Sequence, residues 1–225
     1  MDELFERFLN EIKNKVMLES VTLPEDLTHI RLPLKLLDMR CYNWKAENIR
    51  KIYFVRIKVA VPAFDIFGMA IYPEPLLDLP SFACDFSCTK KKVFTYINFI
   101  SLFNEPSYST KYIEPMKDIY NRYRHIPPQR ARAWMQPYLT PYTIYCFPEK
   151  TFLKDLRACA REYLMLYLDM FSKSKVIEDA SYRESVAQAH KKYVDALSSN
   201  DASRKMLGRI IGREKADRFF KEVVT

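Results

Sequence analysis

A chain of 225 residues with 48% hydrophobic and 14% aromatic side chains is long enough for one well-packed core and gives little reason to expect two. Three glycines, Gly68, Gly208 and Gly212, stand against 15 Phe and 15 Tyr, which excludes the clustered glycines of a dinucleotide fingerprint or a P-loop and gives much of the interior to aromatic rings. The net charge of +8 favours an anionic partner without choosing among nucleic acid, anionic lipid, an acidic protein and a carboxylate-bearing ligand.

The start, Met1-Asp2-Glu3, lacks the basic and apolar pattern of a signal peptide, and no apolar run approaches transmembrane length, so a cytoplasmic protein without membrane association is expected. Leu4, Phe5, Phe8, Leu9, Ile12 and Val16 fall at helical spacing and predict an amphipathic helix over residues 2 to 18, ended by Pro24. From about residue 30 to 100 the texture turns to short β-branched and aromatic runs: Leu32 to Tyr42, Tyr53 to Val61, Phe64 to Tyr72, Ser81 to Cys88 and Val93 to Phe99. The connections are too short for crossover helices, so these strands form a largely antiparallel sheet. After a mixed stretch containing Tyr112 to Tyr123, the run Tyr142 to Phe147 predicts one more strand. Beyond it, Leu153, Leu156, Tyr163, Leu164, Tyr167, Leu168 and Phe171 mark a long helix, and 178 to 197 reads as a second. Residues 201 to 222 give one or two shorter helices, broken near Gly208 or Gly212. With no repeat or linker visible, residues 1–225 read as a single α/β domain, a sheet with helices packed on its faces.

Catalytic motifs are scarce. His29, His125 and His190 are far apart and show no paired-ligand spacing, and serine offers no nucleophile elbow. The cysteines Cys41, Cys84, Cys88, Cys146 and Cys159 form no CxxC pair, and their odd number fits reduced thiols in a cytosol-like compartment. Asp85 is the unusual residue, because it interrupts the apolar run Ser81-Phe82-Ala83-Cys84-Asp85-Phe86. Alternation can point it to solvent, a basic residue can pair with it, or apolar surroundings can raise its pKa until it holds a proton near neutral pH. Asp201, between Ser198-Ser199-Asn200 and Ala202-Ser203, reads first as a helix N-cap. The basic clusters Lys90-Lys91-Lys92, Arg122-Arg124 and Arg130-Arg132 read as solvated faces whose sum supports docking of something negative.

Several segments carry a resemblance. Leu23-Pro24-Glu25-Asp26-Leu27, Arg40-Cys41-Tyr42, Ile49-Arg50-Lys51-Ile52, Tyr72-Pro73-Glu74-Pro75-Leu76, Leu79-Pro80-Ser81-Phe82-Ala83-Cys84-Asp85, Ala133-Trp134 with Ile144-Tyr145-Cys146-Phe147-Pro148, and the tail from Asn200-Asp201 to Phe219 run in the order found in ferredoxin-dependent bilin reductases. The chain resembles that family over nearly its whole length, nearest its phycocyanobilin-forming and phycoerythrobilin-forming members. The resemblance implies a three-layer α/β/α sandwich with a central antiparallel sheet and a bilin held between the sheet and the C-terminal helices. It also implies an oxidoreductase with no bound flavin, nicotinamide or metal, whose electrons come singly from the [2Fe-2S] cluster of a transiently docked acidic ferredoxin and pass through radical intermediates.

Carried over by position, Asp85 and Asp201 are the implied proton donors, on opposite sides of the substrate. Asn200 is an implied pocket residue, and Arg130 or Arg132 the implied partner of a substrate propionate. Two departures narrow the product: Gly68 stands where a phycocyanobilin-forming member has a histidine beside the central aspartate, and Val55 or Arg56 where it has a glutamate. The resulting expectation is conversion of biliverdin IXα to phycoerythrobilin via dihydrobiliverdin by a monomeric enzyme. The alternatives are a two-electron reductase forming or consuming dihydrobiliverdin, a phycocyanobilin-forming enzyme, or a bilin-binding carrier. No RNP-like, helix-turn-helix or zinc-knuckle pattern supports nucleic-acid binding.

Overall fold

Apolar and aromatic runs between residues 37 and 100, buried on both sides over much of their length, form the centre of the molecule. The computed structural model describes the backbone of residues 1–225 and every side chain except those of Lys35 and Ala202. Eight strands form one sheet: β1 (Glu19–Val21), β2 (His29–Arg31), β3 (Leu37–Ala46), β4 (Ile49–Val59), β5 (Phe64–Pro73), β6 (Ser81–Cys88), β7 (Val93–Ile100) and β8 (Ile144–Cys146). Their order is β1-β3-β4-β5-β6-β7-β8, with β2 also on β3, and every pairing is antiparallel. Sequential neighbours joined by short turns are what an antiparallel meander requires.

Helices cover both faces. On one side lie α1 (Asp2–Lys13), α3 (Pro106–Tyr112), α4 (Lys117–Tyr123) and α5 (Leu153–Lys173), while the single turn α2 (Glu25–Thr28), which follows α1 in the chain, buries Leu27 in the opposite core. Phe8, Ile12, Leu164 and Tyr167 from these helices meet Phe54, Phe67, Phe82 and Phe99 from the sheet in a fully buried layer. Each such ring contributes roughly 1.5–3 kcal/mol by leaving water. The opposite face receives α6 (Ala180–Asn200), α7 (Ala202–Ile211), α8 (Arg213–Phe219) and a last π turn, Phe220–Val224. There Tyr193, Leu197, Leu207, Phe219 and Val223 pack on Met39, Tyr53, Tyr72 and Tyr96. The result is the expected α/β/α sandwich. No described helix is long and apolar enough to cross a membrane.

Boundaries differ from the pattern reading for local reasons. The first helix stops at Lys13, after which Val16 N–H bonds the Ile12 carbonyl and Met17 is left 91% exposed. The third strand starts at Leu37 rather than near Leu32, because Pro33 opens a 3-10 turn in which Leu34 takes a φ of 55°. The C-terminal break falls at Gly212, whose φ of 89° favours glycine, and not at Gly208 inside α7. The five cysteines are free and buried.

Candidate active site

One cross-strand row passes through the middle of the sheet. Cys41 faces Val55, Val55 faces Gly68, Gly68 faces Asp85, Asp85 faces Tyr96 and Tyr96 faces Tyr145, each on the adjacent strand. Side chains directly opposite on antiparallel strands share a face, so Asp85 projects toward α6 and α7, into the smaller core. The alternation of β6 therefore points it inward, away from bulk solvent. A Cβ built on Gly68 would lie 2.7 Å from Asp85 Oδ1. The missing side chain at 68 is thus the space that the Asp85 carboxyl occupies. Gly68 keeps an ordinary strand conformation, and room rather than backbone freedom is what it provides.

Burial pushes the Asp85 carboxyl up to about 8, and the negative charge of Asp201 adds to the effect. Asp85 is half-buried, so water reaching its free edge tempers the shift without reversing it. No basic group pairs with it among the described residues. Four tyrosines, Tyr53, Tyr72, Tyr96 and Tyr193, surround it, and all are held protonated by burial, with the Asp85 charge adding to each. Asn98 donates to Tyr96 Oη at 3.3 Å and to the Tyr138 carbonyl at 2.8 Å, fixing that side of the row.

Asp201 sits at the junction of two helices, ending α6 and capping α7. Its Oδ1 accepts from Ser203 N–H at 2.7 Å and Ser203 Oγ–H at 2.6 Å, while Oδ2 has no protein partner among the described residues. The capping role read from the sequence is present, and the same carboxylate is close enough to act on Asp85, Tyr53 and Tyr72. Asn200 is turned differently: it is exposed and donates from Nδ2 to the Ala196 carbonyl of its own helix at 2.9 Å. Arg130 and Arg132 are exposed on the segment that precedes β8 in the chain and runs along its outer edge, where Gln129 N–H bonds the Tyr145 carbonyl at 2.8 Å. They lie at the outer end of the Asp85 row. Arg56 belongs to the opposite face, paired with Asp2 and lying over the Phe5 ring, so Val55 alone stands in the row beside Gly68.

Pattern reading missed a second cluster on this face. A register shift between Ile49 and Lys51 leaves Arg50 over the Tyr72 ring at 4.7 Å, and burial with the Arg50 charge brings Lys51 down to about 8. His190 of α6, 4% exposed, shares a 3.2 Å hydrogen bond between Nδ1 and Ser81 Oγ, and burial drops its pKa to about 4. Tyr53, Tyr72 and Tyr96 carried only one signal in the sequence, their parity with Asp85 once the strand register is known, whereas His190 and Tyr193 lie on the buried stripe of α6 with Val186 and Leu197.

A pH dependence of folding follows. Because the native state holds the Asp85 proton up to about 8 while an unfolded aspartate releases it near 3.8, stability falls as pH rises through that window. Asp85→Asn removes the slope. At pH 7 the variant is expected to unfold at higher urea concentration, by about 1–3 kcal/mol at roughly 1.4 kcal/mol per pK unit. Parallel urea curves for both proteins at pH 5 and pH 8 check this, and equal pH slopes would remove the raised carboxyl.

The family profile described as ferredoxin-dependent bilin reductase matches residues 5–224, and the chain belongs to that family of oxidoreductases. A 15,16-dihydrobiliverdin:ferredoxin oxidoreductase of Nostoc punctiforme is 26% identical over 82% of this chain and 77% of its own length. One from Gloeobacter violaceus is 24% identical over 97% of this chain and 93% of its own length. The crystal structure of tomato phytochromobilin synthase in complex with biliverdin has the same fold, with a TM-score of 0.90 at 18% identity, covering 97% of this chain and 80% of that one.

Proposed function

We propose that this enzyme reduces biliverdin IXα to phycoerythrobilin through dihydrobiliverdin, by sequential one-electron transfers from reduced [2Fe-2S] ferredoxin and without a bound redox cofactor of its own. The observation that carries the reading is Asp85, a carboxyl protonated near neutral pH in the middle of the sheet face that the C-terminal helices cover. Each electron makes a tetrapyrrole more basic, and an acid with a pKa near the working pH is suited to neutralise it. Asp85 gives the first proton. Asp201 relays a later one, taken up from solvent on the helical side and passed on through Oδ2, its Oδ1 remaining engaged with Ser203. With Gly68 and Val55 beside Asp85, no second titratable side chain stands in the row on β4 or β5, which supports methine-bridge and A-ring reduction over reduction of the D-ring vinyl group. Arg130 or Arg132 takes a propionate at the outer end of the row, as guanidinium geometry suits.

A second reading is a two-electron reductase that forms or consumes dihydrobiliverdin. The two relatives named for 15,16-dihydrobiliverdin favour it.

Chromatography of the products from biliverdin and a ferredoxin-reducing system separates these readings. Phycoerythrobilin as end product supports the first, dihydrobiliverdin as end product the second, and unchanged biliverdin bound with a shifted spectrum leaves a carrier. Asn caps helices about as well as Asp, so Asp201→Asn is expected to fold normally, to accumulate dihydrobiliverdin, and to shift the alkaline loss of activity to lower pH as its charge near Asp85 disappears. An unchanged product profile counts against a proton from Asp201.

A further inference from the structure

We propose that the electron donor docks on the β6–β7 hairpin end of the sheet, where exposed Lys90, Lys91, Lys92 and Lys150 share the strand ends with the exposed Phe147. The proposal rests on the ferredoxin-dependent reading above. It commits to one partner, an acidic [2Fe-2S] ferredoxin.

The patch is built rigidly. Thr89 Oγ1 accepts from Lys92 N–H at 2.9 Å, Thr89 N–H bonds the Lys92 carbonyl at 2.9 Å, and Lys150 N–H bonds the Lys91 carbonyl at 2.7 Å. Val93 N–H to the Pro148 carbonyl, at 3.0 Å, ties the hairpin to the segment after β8. These bonds hold four exposed lysines on two joined strand ends. Phe147 is 40% exposed and Lys92 Nζ lies 5.5 Å from its ring centre, giving the patch an aromatic middle within a charged rim. Such an arrangement is typical of an interface whose rim steers and whose centre desolvates.

Charge balance separates this patch from the other basic surface. The cleft of about 330 Å³ lined by His29, Arg31 and Arg40 adjoins Lys58 and Arg56. Its cations are already engaged: Arg31 and Arg40 by Asp38, Arg56 and Lys58 by Asp2. Among the described side chains, Lys90, Lys91 and Lys150 have no ion pair, and Lys92 approaches Glu149 only at 3.9 Å. Unpaired exposed charge is what attracts an oppositely charged protein over a Debye length of roughly 8–10 Å.

Position is the second argument. Inward from the hairpin, the Phe94 ring lies 5.2 Å from Tyr145, and Tyr145 6.2 Å from Tyr96, the residue opposite Asp85. A line of packed rings thus joins the lysine patch to the candidate site. Asp85 and Cys88 are three residues apart on β6, about 10 Å at the usual strand rise. In each encounter the reduced cluster, one ferrous and one ferric ion, becomes two ferric ions. The bilin gains that electron as a radical; in the first encounter the Asp85 carboxyl gives the accompanying proton, becomes the carboxylate and is reprotonated from solvent.

The test is a quadruple variant, Lys90→Gln, Lys91→Gln, Lys92→Gln and Lys150→Gln, assayed with biliverdin and a reduced cyanobacterial [2Fe-2S] ferredoxin. Arg31→Gln with Lys58→Gln serves as the comparison. The quadruple variant is expected to raise KM for ferredoxin about tenfold or more and to flatten its dependence on salt, since rim charges act through association. Its biliverdin dissociation constant, read from the visible spectrum, stays at the wild-type value, and the comparison variant keeps the wild-type KM. An unchanged KM and salt slope overturns the docking surface, as does a changed biliverdin affinity, which would put the lysines in the pigment site. Failure of the wild-type protein to bind or reduce biliverdin under the same conditions overturns the functional reading instead.

Discussion

Asp85→Asn is expected to bind biliverdin with near wild-type affinity and to lose turnover by about 100-fold or more, the lower range of what one positioned general acid contributes. The amide fills the space over Gly68 that the carboxyl fills, so the pocket keeps its shape while the proton is gone. Electron delivery is untouched by the change, and the first reduced species therefore accumulates as a radical visible by electron paramagnetic resonance. In the wild-type enzyme kcat is expected to fall as pH rises through about 8, where Asp85 passes into the carboxylate form and can no longer donate. Full turnover by the variant, or a flat pH profile in the wild type, would remove Asp85 from the proton path. The folding prediction runs the other way: the same substitution that stops reduction makes the protein more stable at neutral pH. That opposition marks a group kept for chemistry at a cost to folding, since a protonated carboxyl in a half-apolar site contributes nothing that an asparagine would not.

Much of this architecture was legible before any coordinates. The strand from Ser81 to Cys88 was read to the residue, because Phe82, Cys84 and Phe86 supply a strict period of two and charged or turn residues stop the run at either end. The long helix ending at Lys173 was equally plain from Leu156, Tyr163, Leu164, Tyr167 and Leu168 on one stripe. What escaped were elements too short to show a period: the three-residue strands β1 and β2, and the seven-residue helices α3 and α4 around Tyr112 to Tyr123. Tertiary packing, not local preference, holds these in place.

The candidate site was half legible. Asp85 and Asp201 stood out as a strand carboxylate and a helix cap, and both descriptions hold locally. Their nearness was not readable, because 116 residues of chain separate them and only the packing of α6 and α7 on β6 joins them. The choice between Val55 and Arg56 also required register. Adjacent residues of a strand face opposite ways, so a one-residue ambiguity in sequence becomes a choice between the Asp85 face and the Phe5 face. Asn200 shows the converse. Its place next to Asp201 suggested a shared role, yet it is exposed and its amide folds back to donate to the Ala196 carbonyl of its own helix.

The register at Gly68 yields the other large expected effect. Gly68→Ala puts a methyl carbon 2.7 Å from Asp85 Oδ1, well inside van der Waals contact, and the obstacle is a side-chain carboxyl rather than backbone. Asp85 must therefore rotate, and it has only the tyrosine-lined space under α6 and α7 to move into. Overpacking of this kind costs roughly 1–3 kcal/mol. The larger consequence is for reduction, because the carboxyl leaves the position from which it donates: kcat is expected to drop at least tenfold, by analogy with the sensitivity of catalysis to misplacement of about 1 Å. Gly68→His meets the same collision at its Cβ, so an imidazole cannot be added beside Asp85 with the aspartate left where it is. A histidine at 68 is expected to lower phycoerythrobilin formation without opening vinyl reduction, and Val55→Glu added to it restores neither. Product chromatography of Gly68→Ala, Gly68→His and the double variant provides the check. Wild-type rates in Gly68→Ala would mean that the carboxyl over residue 68 is not the donating position, and phycocyanobilin from the double variant would mean that Asp85 tolerates a neighbour for which this register leaves no room.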